Sequence, residues 1–106
     1  MDKGKQMKIW LDDVRPPPDE SWRWLKTAIE IILVFAKDYD SIEEMSLDHD
    51  LWDGHTGYYV VEWIETKVAE GEITHLPKTH VHSMNPVGAE RMRMCLRSIE
   101  RMLEGE

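Results

Sequence analysis

The chain has 106 residues, of which 42% are apolar, with 13 basic against 21 acidic side chains and a formal net charge of -8. That length suffices for one buried core, and the apolar content with five tryptophans excludes a disordered chain. The acidic balance excludes a surface that draws nucleic-acid backbones as a whole, and leaves phosphate recognition to a local basic group or a bound cation.

In chain order, the polar and unpatterned segment 1–6 (MDKGKQ) reads as a loose tail, with one domain spanning 1–106. MKIWLDD (Met7–Asp13) reads as a buried strand that ends in polar residues. RPPPDES is neither helix nor central strand, because its prolines lack donors and hold φ. WRWLK alternates as a short strand, and the brief proline-rich connection leaves its direction open. Thr27 and Glu30 form a T-x-x-E capping box ahead of apolar residues at helical spacing in TAIEIILVFAKD.

EMSLD (Glu44–Asp48) is the next predicted strand, followed by a loop over Asp48–Gly57. From Tyr58 to Glu70, Val60, Val61, Ile64 and Val68 recur with helical period, and Gly71 supplies a stop. KTHVHS (Lys78–Ser83) reads as a strand. Asn85-Pro86 reads as the cap and first residue of a last helix whose stripe is Met92, Leu96, Ile99 and Leu103. Trp10, Trp22 and Trp24 are expected in the core, and Trp52 is a candidate for stacking on a base.

The single cysteine, Cys95, forms no internal disulfide. No apolar run reaches membrane-spanning length and the N-terminus lacks a signal-peptide core, so the expected location is cytoplasmic. Strands alternating with helices predict a three-layer α/β sandwich with a mainly parallel sheet, whose ligand site lies beyond the carboxyl ends of the strands. The unusual polar residues fall there: Asp12 and Asp13 after the first strand, Asp48 to His55 after the third, Ser83 and Asn85 after the fourth.

Asp12, Asp13, Asp48 and Asp50 brought to one sheet edge repel one another, and a divalent cation relieves that repulsion. All-oxygen ligands suit Mg²⁺, and a joining histidine favours Mn²⁺. Asp12 and Asp50 have a plainer reading as caps of turns. An EF-hand fails on spacing, since its twelfth position is Tyr59. A structural zinc site lacks the cysteines. His80 and His82 share one strand face, His82 directly before Ser83, and His49 lies between two candidate ligands; His49 and His82 suit general acid–base work. His75 is expected in solvent. Ser83 and Asn85 at a helix start, with Arg15 after the acidic pair, suit a phosphate group, although Asn85-Pro86 also makes an ordinary cap. Arg93, Arg97 and Arg101 read as a solvated row beside Glu90 and Glu100.

WLDDV, SLDHDL…TG and HVHS resemble the acidic pair, phosphoacceptor loop and hydroxyl-bearing strand end of two-component receiver domains. The fuller pattern WLDDVRPPP…WRWLKT…SLDHDL…TGYYVVEWI…HVHSMNPVG resembles the cyclic-phosphate-processing receiver family. The resemblance implies a reduced receiver-like (flavodoxin-like) sandwich of about four strands in order 2-1-3-4, with the first helix and the final strand–helix unit lost. It implies a divalent cation, Mg²⁺ or Mn²⁺, on Asp12, Asp13 and Asp48, joined by the backbone carbonyl of Asp50. It also implies Ser83, Arg15 and Asn85 at the phosphate, and catalytic roles for Asp48, His49 and His82. The substrate class implied is a cyclic phosphate on a nucleotide or RNA end, without an extended nucleic-acid surface. No lysine follows Lys78, which separates the chain from a switching receiver. Asp48 has two open roles, nucleophile or cation ligand. A phosphoacceptor module and a non-catalytic cyclic-nucleotide binder remain the alternatives. The order of motifs excludes a haloacid-dehalogenase-like phosphatase.

Overall fold

A computed structural model describes residues 7–51 and 54–105; the predicted tail at 1–6 and the stacking role of Trp52 lie outside the described residues. The elements are β1 (Met7–Leu11), β2 (Trp22–Leu25), α1 (Ala28–Asp38), a 3₁₀ turn at Tyr39–Ser41, β3 (Ile42–Leu47), α2 (Gly57–Ala69), β4 (Lys78–Val81) and α3 (Pro86–Leu103). The four strands form one parallel sheet in the order β2-β1-β3-β4, which settles the direction of β2.

Local chemistry explains the ends. Thr27 accepts from Glu30 N while the Glu30 carboxylate takes the Thr27 N–H, so both halves of the capping box form at α1. Asn85 caps α3 through Gly88 N with Pro86 behind it, and Gly71, at φ 79°, turns the chain after α2. Of the boundaries that differ from expectation by a residue or two, those of β3 and β4 bear on the site. β3 begins at Ile42, two residues before Glu44, because the 3₁₀ turn delivers buried Ile42 straight into the ladder beside Met7. β4 ends at Val81, although His82 N still donates to Leu47 O at 3.0 Å.

The connections β2-α1-β3 and β3-α2-β4 run across the sheet in the same direction. Right-handed crossovers therefore put their helices on the same face. There α1, α2 and α3 close over Ile9, Leu11, Met45 and Leu47, with Ile31, Phe35, Val61, Ile64, Met92 and Ile99 completing the core. The β1-to-β2 connection runs the other way and passes over the opposite face, where the proline-rich loop stands in place of a helix. Trp10 Nε1 donates to Arg15 O at 2.8 Å and Trp24 Nε1 to Asp12 O at 2.7 Å, pinning that loop.

This opposite face corrects the expectation for the tryptophans. Trp10 is buried but outside the core cluster, Trp22 is half-buried, and Trp24 is 36% exposed. All three alternate with the core residues of their strands, and so face away from the helices. No helix among the described residues is long and apolar enough to cross a membrane.

Candidate functional site

Ladder hydrogen bonds continue one residue past the strands: Asp12 N to Leu25 O, Asp48 N to Leu11 O, and His82 N to Leu47 O, at 3.0, 2.9 and 3.0 Å. Residues 12, 48 and 82 therefore stand side by side at the carboxyl edge, at the inter-strand spacing of about 4.8 Å. Each follows a core-facing residue, so each turns toward the helix-free face. Three distant segments meet here because the sheet order seats β1 beside β3 and β3 beside β4.

Asp12, Asp13 and Asp48 each bring a carboxylate oxygen within 4.8 Å of the others, an arrangement that could hold a metal ion. At such a separation two carboxylates repel by about 3 kcal/mol for an effective dielectric near 20. The donor set is all oxygen, which fits a hard divalent cation. Asp12 is the anchored member, only 3% exposed. Its Oδ1 accepts from Val14 N and Arg15 N at 2.9 and 2.7 Å, and its Oδ2 pairs with His82 Nε2 at 3.0 Å. The turn-capping reading of Asp12 thus holds alongside its place in the cluster. Burial pushes the Asp48 carboxyl above its ordinary value; the His49 N–H on Oδ1 opposes that, and the Asp12 charge adds to it.

His82 is held on three sides. Its Nδ1 lies 2.7 Å from Ser46 Oγ, its Nε2 meets Asp12, and its ring stacks on Trp10 at 3.8 Å and 8°. Burial pushes the imidazole below its ordinary pKa, the hydrogen bond and charge of Asp12 pull upward, and Arg15 adds to the lowering. Arg15 is exposed, close enough for His82 to feel its charge, and makes no ion pair with any described carboxylate.

His49 sits one residue further along, against α3. Its Nδ1 is 3.0 Å from Asp50 Oδ1 and 3.5 Å from Asn85 Nδ2. A Cβ at Gly88 would come within 2.5–2.7 Å of the His49 ring, so glycine is what lets the imidazole lie on the first turn of the helix. The Asp50 side chain is 68% exposed and outside the three-carboxylate group. Asn85 Oδ1 is taken by Gly88 N, and Ser83 Oγ accepts from Asn85 N at 3.1 Å. Gly57 closes the loop: its N–H donates to His49 O at 2.7 Å, and a Cβ there would collide with the Asp48 carbonyl oxygen.

Away from the site, His80 pairs with Glu44 at 2.7 Å, exposed His75 with Asp40 at 3.1 Å, and Arg97 and Arg93 with Glu90 at 3.3 and 4.0 Å. Sequence reasoning passed over Ser46 and the contact role of Trp10. The signal was available: Ser46 is the polar residue in the apolar run Met45-Ser46-Leu47, on the face shared by Trp10 and His80.

A protein-family model described as the cyclic-phosphate processing receiver domain matches residues 7–98. No curated protein and no solved structure gives a match. The matched span contains every residue of the site.

Proposed function

The chain belongs to the cyclic-phosphate processing receiver domain family, and from that premise we propose that it hydrolyses cyclic phosphates on nucleotides or RNA ends with a divalent cation, Mg²⁺ or Mn²⁺. The observation that carries this reading is the convergence of Asp12, Asp13 and Asp48 beside His82 and Arg15. The cation, with the Asp50 carbonyl as a further ligand, would supply positive charge for the phosphoryl oxygens as the ring opens.

Ring opening adds one water: its oxygen bonds to phosphorus, one ring P–O bond breaks, and the leaving alkoxide takes a proton. In this reading His49 accepts the proton of the attacking water and returns one to the alkoxide, while His82, with its two ring nitrogens on Asp12 and Ser46, holds the Asp12 carboxylate in place. Arg15 contacts a phosphoryl oxygen, with Ser83 and Asn85 as further donors. Asp48 acts as cation ligand or as nucleophile. A cytoplasmic setting accords with the lone Cys95.

The test is turnover. Purified protein with Mg²⁺ or Mn²⁺ is incubated with 2′,3′-cyclic and 3′,5′-cyclic nucleotides and cyclic dinucleotides. Ring opening by wild type and not by Asp48→Asn is the expected result. Binding without turnover assigns the protein to the binding class instead, and a stable phosphoryl label on Asp48 assigns it to the signalling class.

A further inference from the structure

Ser46 lies in the middle of β3, 4% exposed, with strands paired on both sides through Trp10 and His80. Its main chain is held between two neighbouring strands. Its hydroxyl points to the helix-free face and meets His82 Nδ1 at 2.7 Å, while Nε2 of the same ring meets Asp12 Oδ2 at 3.0 Å. An ionised carboxylate only accepts, so the Nε2 proton belongs to the bond with Asp12. In the neutral ring Nδ1 is then an acceptor, and the Ser46 O–H is its donor. The Trp10 indole, parallel at 3.8 Å, blocks one face of the ring against rotation. Both nitrogens and one face of His82 are thereby committed before any ligand arrives.

We infer that Ser46 is a positioning residue for the cation site: from the interior of the sheet it fixes His82 as the Nε2–H tautomer, and His82 in turn holds the Asp12 carboxylate in register with Asp13 and Asp48. The inference rests on the cation-holding reading of Asp12. Val14 N and Arg15 N already occupy Oδ1, so His82 is the contact that sets Oδ2 and with it the rotation of the carboxylate. Outer partners of this kind orient the ligands of metal centres, and their loss weakens metal binding 10–100-fold. Ser46 supplies a hydroxyl and no charge, so the three carboxylates keep their need for a cation.

The experiment pairs ¹⁵N spectra of the histidine rings with Mn²⁺ binding followed by electron paramagnetic resonance. Wild type, Ser46→Ala and Ser46→Thr are compared as full chains. The expected wild-type spectrum shows His82 protonated on Nε2 alone, with Nδ1 shifted as a hydrogen-bond acceptor. Ser46→Ala loses the Nδ1 shift and binds Mn²⁺ roughly 10–100-fold more weakly, and Ser46→Thr restores both. An Nδ1–H tautomer in wild type overturns the inference, as does an alanine variant with the wild-type Mn²⁺ affinity. Wild type that binds no Mn²⁺ overturns the cation reading and the affinity half of the inference with it. The ring spectra still judge the Ser46–His82 half, so the two failures are told apart.

Discussion

Asp13 and Asp12 are neighbours in sequence with opposite situations. Asp12 is buried and has all its oxygens engaged, whereas Asp13 is half-buried and accepts no hydrogen bond from the described residues. Asp13 therefore adds charge to the cluster with little in return when no cation is present. Asp13→Asn is expected to raise the melting temperature of the cation-free protein and to abolish the rise that Mg²⁺ or Mn²⁺ produces in wild type. Melting curves with chelator and with each cation check both halves; an unchanged cation response would remove Asp13 from the ligand set. Cys95 gives a second prediction. Burial, then the neighbouring Glu65, pushes its thiol up to about 12 from 9.0. The folded chain thus holds a proton that the unfolded chain releases near pH 9, and the thiol's contribution to stability falls as pH rises from there. At pH 8 the folded thiolate population lies well below that of the unfolded chain, and alkylation by iodoacetamide is expected to be slower in buffer than in denaturant. Equal rates in buffer and in denaturant would contradict that burial.

The elements deliver these side chains through their ends. α2 starts at Gly57 because the Thr56 hydroxyl caps it by accepting from Tyr59 N, and nothing larger than glycine fits at 57 against the Asp48 carbonyl, a contact that shapes the loop after β3. Gly57→Ala forces the Asp48 loop to move, and Met92 with it, and is expected to cost about 1–3 kcal/mol in urea unfolding, with weakened cation binding. The start of α3 separates two roles of Asn85. Asn85→Ala removes the cap and about 1 kcal/mol of stability, while Asn85→Ser keeps a capping oxygen and recovers most of it. If Asn85 also contacts phosphate through its amide, the serine variant regains stability without regaining affinity for a 2′,3′-cyclic nucleotide. Recovery of both would reduce Asn85 to a cap. These helix ends were readable from T-x-x-E, N-P and the apolar spacing, since capping is a matter of a few consecutive residues. The early start of β3 was not: Glu43 and Glu44 mask a strand that begins at Ile42, and only pairing with β1 shows where it begins.

Across the whole molecule, the missing first helix has a consequence for the site. With three helices on one face, the other presents Trp24, His80 and the Asp12–His82 row under a single loop. The site therefore opens on a polar and aromatic surface. The net charge of -8 acts at the same scale. Self-repulsion among unscreened carboxylates opposes compactness, so the melting temperature is expected to rise from about 10 mM to 150 mM NaCl as the screening length shortens. A melting temperature that falls over that range would show that attractive pairs such as His80–Glu44 outweigh the repulsion.

By itself the sequence determined the α/β order, the capped helices, the stripe that each helix buries, and the acidic, histidine and hydroxyl residues at the strand ends. These follow from periods of two and 3.6 and from short-range hydrogen bonds, which neighbouring residues specify. The tertiary structure decided which of those residues meet. Parallel β2 and the continuation of the ladder past Leu25, Leu11 and Leu47 set Asp12, Asp48 and His82 in one row, across separations of up to 70 residues. It also decided that Trp10, Trp22 and Trp24 lie opposite the core. Hydrophobicity marks a tryptophan for burial, but only the handedness of the crossovers determines which face the helices cover.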